Sequence, residues 1–120
     1  MNTVLVLPWP PSVNRYWRHW RGRMVISTEG RAYREQVLAD AKAAKSWLAF
    51  GAARLEVYID CYPPDRRARD IDNLTKAGLD AMQAAGIYDS DSQIDLLQLR
   101  RCEVIAGGQL IVSVSTLEQS

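Results

Sequence analysis

The sequence predicts a small α+β domain, β-α-β-α-β-β in order, with a mixed sheet and its helices packed on one face. Leu55, Val57, Ile59 and Cys61 alternate with Arg54, Glu56, Tyr58 and Asp60, the period of a half-buried strand. Tyr33, Val37, Ala41, Ala44 and Leu48 recur at three- and four-residue steps, the period of a helix. The 120 residues, of which 48% are hydrophobic and 24% charged, suit one globular domain, 1–120, and are too few for two.

The first element is a strand over Thr3 to Leu7, apolar and β-branched, stopped by Pro8-Trp9-Pro10-Pro11. Ser12 to Arg23 has no sustained period and reads as a long loop. Ser27 or Thr28 caps the first helix, and Gly51 lies beyond its end. Pro63-Pro64-Asp65 closes the second strand with a turn. Asp70 or Asp72 caps a second helix, with Leu74, Gly78 (or Ala77), Ala81 and Ala85 inward and Gly86 as terminator. Ile87 to Gln93 is an acidic loop. Ile94 to Val104 and Gln109 to Leu117 read as strands joined by a hairpin turn at Ala106-Gly107-Gly108.

Several function classes are excluded by what is missing. No stretch approaches the ~18 to 20 apolar residues of a membrane span. The segment from Met1 to Pro8 is too short for a signal-peptide core and lacks a basic leader, so a soluble cytoplasmic protein is expected. Cys61 and Cys102 lack metal-ligand spacing and read as reduced core thiols. No glycine-rich phosphate loop is present, and no organic cofactor is expected. His19 is the only histidine; a His₂ metal site or a Ser-His-Asp triad would need it and its partners aligned, and it reads instead as a DNA or solvent contact.

The net charge of +1 hides a marked segregation. Arg15, Arg18, Arg21, Arg23, Arg31 and Arg34 face a single acid, Glu29, in the first 34 residues, and Arg66-Arg67-Ala68-Arg69 stands just before Asp70. Acids gather from Asp65 to Asp95. Carboxylates repel phosphates, so a DNA-coating protein has little use for them beside its arginines. A divalent metal held between carboxylate and phosphate inverts that repulsion.

The chemistry-bearing stretch is Asp65-Arg66-Arg67-Ala68-Arg69-Asp70-Ile71-Asp72-Asn73-Leu74-Thr75-Lys76. Two hard oxygen ligands from one turn, with a third from elsewhere, suit Mg²⁺. Asp70 and Asp72 equally fit a helix cap and a solvated first-turn residue. Lys76, four residues after Asp72, fits either a surface ion pair of about 0.3–0.5 kcal/mol or a cation that stabilises transition-state charge. Asp91 and, less so, Asp89 are candidates for the third ligand, or ordinary loop acids. Tyr16, Trp17 and Trp20 interleave with Arg15, Arg18, Arg21 and Arg23, a mixture suited to a splayed nucleic-acid strand or to anchoring the loop; Trp9 reads as structural.

The sequence resembles the RusA family of Holliday junction resolvases over nearly its whole length. The resemblance is carried by Leu7-Pro8-Trp9-Pro10-Pro11-Ser12-x-Asn14-Arg15-Tyr16, by Ser27 to Arg34, by Pro64-Asp65-Arg66-Arg67-x-Arg69-Asp70-x-Asp72-Asn73-Leu74-x-Lys76, by Asp91-x-Gln93 and by Gly107-Gly108. It implies an α+β homodimer that cuts four-way DNA junctions symmetrically with Mg²⁺, or Mn²⁺ in its place. It also implies metal-binding roles for Asp70, Asp72 and Asp91, a catalytic role for Lys76, and DNA contacts at Asn14, Arg15, Tyr16, Arg18, Arg66, Arg67, Arg69 and Asn73. One departure is Ser90, where the family commonly shows an acid before the Asp91 position. The rival readings are another metal-dependent nuclease, acting on flaps or single strands, a phosphohydrolase, and a non-catalytic DNA-binding module.

Overall fold

The computed structural model describes residues 1–44 and 48–117. In chain order these form β1 (Asn2–Pro8), α1 (Val13–Tyr16), β2 (Trp17–Trp20), β3 (Arg23–Ile26), α2 (Thr28–Ala43), β4 (Leu55–Tyr62), α3 (Lys76–Ala84), β5 (Ile94–Arg101) and β6 (Gln109–Thr116). Short 3-10 turns occupy Ile71–Asn73 and Asp91–Gln93. The main sheet runs β1-β6-β4-β5, with β4 and β5 parallel and the other pairs antiparallel.

Alternation along the strands decides which face is covered. Leu5 and Leu7 of β1, Leu55, Val57, Ile59 and Cys61 of β4, and Leu110, Val112 and Val114 of β6 are all buried. They share one core with Tyr33, Val37 and Ala41 of α2 and with Ala77, Ala81 and Met82 of α3. Each fully buried Leu, Val or Ile contributes about 1.5–3 kcal/mol, so this one layer dominates stability. On the other face Val4 and Val6 stand exposed. The mixed sheet with helices on one face is therefore as expected from the sequence.

Four local expectations are corrected. Ser12 to Arg23 is not a long loop: α1 and the antiparallel β2–β3 hairpin fill it. The hairpin turns at Arg21-Gly22, where both residues have positive φ (49° and 76°), a conformation that suits a two-residue hairpin. Secondly, β5 and β6 form no hairpin. After Gly107-Gly108 the chain passes to the far side of β4, so β6 pairs with β4 and β1 while β5 takes the edge. The apolar, alternating residues of β6 are best buried in the sheet's centre, whereas β5 carries Asp95, Gln98, Arg100 and Arg101 among its leucines.

Thirdly, the second helix starts at Lys76 with Thr75 as N-cap, not at Asp70 or Asp72. Asn73 N–H donates to the Asp70 carbonyl (3.1 Å) and Leu74 N–H to that of Ile71 (3.2 Å), closing a tight turn instead. Leu74 and Thr75, both buried, then carry the chain inward before the helix opens. Fourthly, α2 ends at Ala43, short of Leu48, which packs against the core from outside the helix. Residues 45–47 of that expected helix lie outside the described set.

Both cysteines are free thiols, as expected. Cys61 is fully buried, and burial, reinforced by Cys102 and Asp60, pushes its thiol up to about 11. A thiol-reactive dye should therefore label half-buried Cys102 in the native protein and Cys61 only after unfolding. Rapid native labelling of two thiols would contradict this packing.

Candidate functional site

The segment 63–75 leaves the C-terminal end of β4 and is organised by Asp65. Its carboxylate accepts the Arg67 backbone N–H (2.9 Å) and pairs with the Arg69 guanidinium (2.9 Å). Arg69, followed by the Arg67 amide, holds the Asp65 carboxyl below the ordinary carboxylate range. This contribution is present above the unfolded value and is lost as pH falls through the lowered one. Arg69 also donates to the carbonyls of Asp65 and Arg67 (both 3.3 Å) and lies 5.5 Å over the Trp9 ring. Arg101, at the end of β5, donates to the Arg69 carbonyl. Arg69 is thus half structural, while Arg66 and Arg67 point outward.

Asp70, Asp72, Asn73 and Lys76 follow, all exposed. The tight turn and the start of α3 at Lys76 remove the helical spacing expected between Asp72 and Lys76, and among the described residues neither joins an ion pair. Lys76 instead occupies the first position of α3, whose N-cap Thr75 makes no side-chain cap. A cation there opposes the helix dipole and costs about 0.3–1 kcal/mol. Amide groups free of a cap, with an ammonium beside them, are chemically suited to a phosphate.

Asp91 lies past the other end of α3. Its N–H donates to Gln83 Oε1 in the last turn (3.0 Å), whereas Asp72 precedes the first turn. The nine residues of α3 span about 13 Å, and β5 separates the same two ends of the parallel unit. Among the described residues no three His, Cys, Asp or Glu side chains gather to hold a metal in one chain. Asp70 and Asp72 lie on the same turn; Asp91 does not join them.

Gln93 has a supporting role that sequence reasoning missed. Buried, it accepts the N–H groups of Asp89 (3.1 Å) and Ser90 (2.9 Å) and donates to the carbonyls of Gly51 (2.8 Å) and Ala53 (2.6 Å). Ser90 Oγ accepts the Ser92 N–H (3.1 Å), completing a capping box around Asp91. The Ser90-x-x-Gln93 spacing is the sequence signal for it. Ser90 therefore sets the loop that presents Asp91, which accounts for a serine at that position.

The basic arm of the molecule is the β2–β3 hairpin. Arg18, His19, Trp20, Arg21, Arg23 and Met24 are exposed, and the Arg21 guanidinium lies 4.4 Å over the Trp20 ring. Its base is fixed: Trp17 and Ile26 pack on the core, and Ser27 N–H donates to the Tyr16 carbonyl (2.9 Å). Tyr16, expected at the DNA surface, is instead fully buried. Its hydroxyl donates to Asp80, which also pairs with Arg34 (2.8 Å), and burial raises its pKa. Asn14 and Arg15 are exposed; Arg15 pairs with Glu29 at 3.3 Å. His19 is exposed, as its loop-like surroundings predict, and Trp9 packs against the core, as a structural residue should.

Fold and site together define a small α+β protein that carries exposed carboxylates directly after a basic loop and also carries a basic hairpin arm, features suited to chemistry on a polyanion. A family profile described as "Endodeoxyribonuclease RusA" matches residues 8–114. Similar proteins include crossover junction endodeoxyribonucleases of Enterobacteria phage 82, Escherichia coli K12 and Shigella sonnei. Each is 44% identical over 119 residues, covering 98% of both chains. The chain belongs to the RusA endodeoxyribonuclease family. No helix among the described residues is long and apolar enough to cross a membrane.

Proposed function

We propose that this chain resolves four-way DNA junctions, hydrolysing one phosphodiester in each of two opposed strands. The single observation that carries the reading is the likeness, over 98% of both chains, to proteins named crossover junction endodeoxyribonucleases. The exposed Asp70 and Asp72, directly after the basic run Arg66-Arg67-Ala68-Arg69, support it.

The donors are all carboxylate oxygens, which fits a hard divalent cation, Mg²⁺ or Mn²⁺. Asp70 and Asp72 of one copy would hold it, and Asp91 would complete the set from a second copy. Two features support a second copy. β5 is an outer strand with Leu96 and Leu97 exposed at 40% and 44%. Antiparallel pairing of two such edges lays the start of one β5 beside the end of the other. That pairing would bring Asp91, three residues before one strand, near Arg101 and the Arg69–Asp72 turn of the other. A two-fold dimer also matches a junction's two-fold symmetry.

When bound, the metal neutralises phosphate oxygens and lowers the pKa of a water. The chain's own residues do the rest. Lys76 and the opening amides of α3 bind the phosphate and stabilise charge as water adds and the P–O bond breaks. Arg15, Arg66 and Arg67 hold the flanking backbone, and Arg18 grips it from the hairpin.

The test compares cleavage of a four-way junction, a flap, a duplex and a free nucleotide in Mg²⁺. Paired symmetric cuts in the junction are expected; preference for any other substrate would replace the reading with another nuclease or a phosphohydrolase. A further expected outcome concerns the hairpin. Replacing Arg18, Arg21 and Arg23 by alanine should weaken junction binding and flatten its salt dependence by about 0.9 for each phosphate no longer neutralised. An unchanged slope would mean that the hairpin does not touch the backbone.

A further inference from the structure

We propose that the cavity beside Asp70 receives one unstacked nucleobase of the substrate strand, and that Asn14 and Asn73 read its edge. The inference rests on the proposed junction nuclease activity and adds to it the site that sets where a junction is cut.

The cavity has a volume of about 920 Å³ and lies between the segment 8–15, α2 and the loop 64–74. Concave sites of roughly 300–1,000 Å³ hold ligands of nucleotide size. One wall is apolar and rigid. Pro10 is buried, and Tyr33 donates its hydroxyl to the Pro8 carbonyl (2.6 Å), tying α2 to the end of β1. Trp9 is wedged by Gly108, where an added Cβ would fall 2.9 Å from the Trp9 Cβ and 2.9 Å from Pro64 Cδ. Over the Trp9 ring lies the Arg69 guanidinium, fixed by Asp65. A planar guanidinium held in place is a stacking surface for a base.

The rest of the lining has the complementary chemistry. Arg15 and Arg67 contribute positive charge where a phosphate chain must pass. The exposed Asn14 and Asn73 each carry a carboxamide, both donor and acceptor, the pattern that pairs with a base edge. Asp70, on the same wall, places the cavity next to the candidate cleavage centre. Stacking on Arg69 and pairing with the carboxamides both need a base freed from its neighbours in the duplex. Unstacking costs least where the continuous stack is already interrupted, as at the crossover of a junction, so a filled cavity favours cutting there.

The experiment uses the full-length Asp70→Asn protein, which separates binding from cleavage. Its affinity is measured for a four-way junction and for a series each abasic at one nucleotide near the crossover. One abasic position should weaken binding by roughly tenfold, the value of one good base contact. Adding Asn14→Ala together with Asn73→Ala should shrink that difference, since only the stacking contact then remains to be removed. Ala32→Trp, which fills the cavity from the exposed face of α2, should weaken binding to the intact junction and not to the abasic one. Equal binding of intact and abasic junctions throughout the series would overturn the proposal, as would an abasic penalty that neither the asparagine pair nor Ala32→Trp diminishes. Failure of wild-type protein to cut any junction is read in a separate assay and would strike the nuclease reading instead.

Discussion

Asp70→Asn is expected to bind four-way junctions at least as tightly as the wild type and to cut them more than about 100-fold more slowly. Losing a residue that merely supports a metal ligand costs about 10- to 100-fold, so a direct ligand must cost more. Asp70 is exposed and makes no side-chain cap to the turn that follows it, so asparagine, of nearly equal size, should leave the fold intact. Tighter binding follows from charge: a carboxylate beside Arg67 and Arg69 repels the phosphate those arginines attract, and asparagine does not. Gel-shift affinity and single-turnover cleavage on one junction check both halves. A variant that cuts at the wild-type rate would remove Asp70 from the cleavage centre. A variant that is slow only because it melts earlier would show in its thermal unfolding.

The covered sheet and its helices were legible because burial writes directly into the period of a sequence. Leu55, Val57, Ile59 and Cys61 announce β4, and Tyr33, Val37 and Ala41 announce α2. The hairpin at 17–26 escaped because its stability comes from its base. Trp17 and Ile26 are its inward pair, and apart from half-buried Val25 the remaining positions are solvated or basic, so no alternation survives. The crossing of β6 to the far side of β4 was illegible for a different reason. Gly107-Gly108 signals a reversal of the chain and says nothing about which neighbour the returning strand will choose. At the site, Asp70, Asp72 and Lys76 stood out by charge. Their arrangement depends on where α3 begins, which Leu74 and Thr75 decide by being buried rather than by any capping signal. Tyr16 misled for a related reason: an aromatic among arginines looks like a base-stacking residue until Asp80, 64 positions away, is found to hold its hydroxyl.

Gly30→Ala should destabilise the protein by about 2 kcal/mol, the middle of the range for forcing extra volume into a packed interior. For a chain of this size that lowers the melting temperature by roughly 8 °C. Helix propensity alone predicts the opposite sign, because Gly30 lies inside α2 and alanine is favoured there by about 1 kcal/mol. Steric overlap decides the matter. A Cβ on residue 30 would lie 2.5 Å from the Tyr16 carbonyl oxygen and 2.8 Å from Ile26 Cγ1. Ile26 can turn aside; the Tyr16 carbonyl cannot. It accepts the Ser27 N–H and lies 2.9 Å from Ser27 Oγ, which caps α2 by accepting the Gly30 N–H (2.9 Å). Tyr16 is pinned at its other end by Asp80 on α3. Relieving the clash therefore means prising the start of α2 from the root of the β2–β3 hairpin. Because that root aims Arg18, Arg21 and Arg23, junction affinity should fall together with stability. Thermal unfolding and binding of the same preparation decide it: a higher melting temperature, as propensity alone demands, would show that α2 does not press against Tyr16.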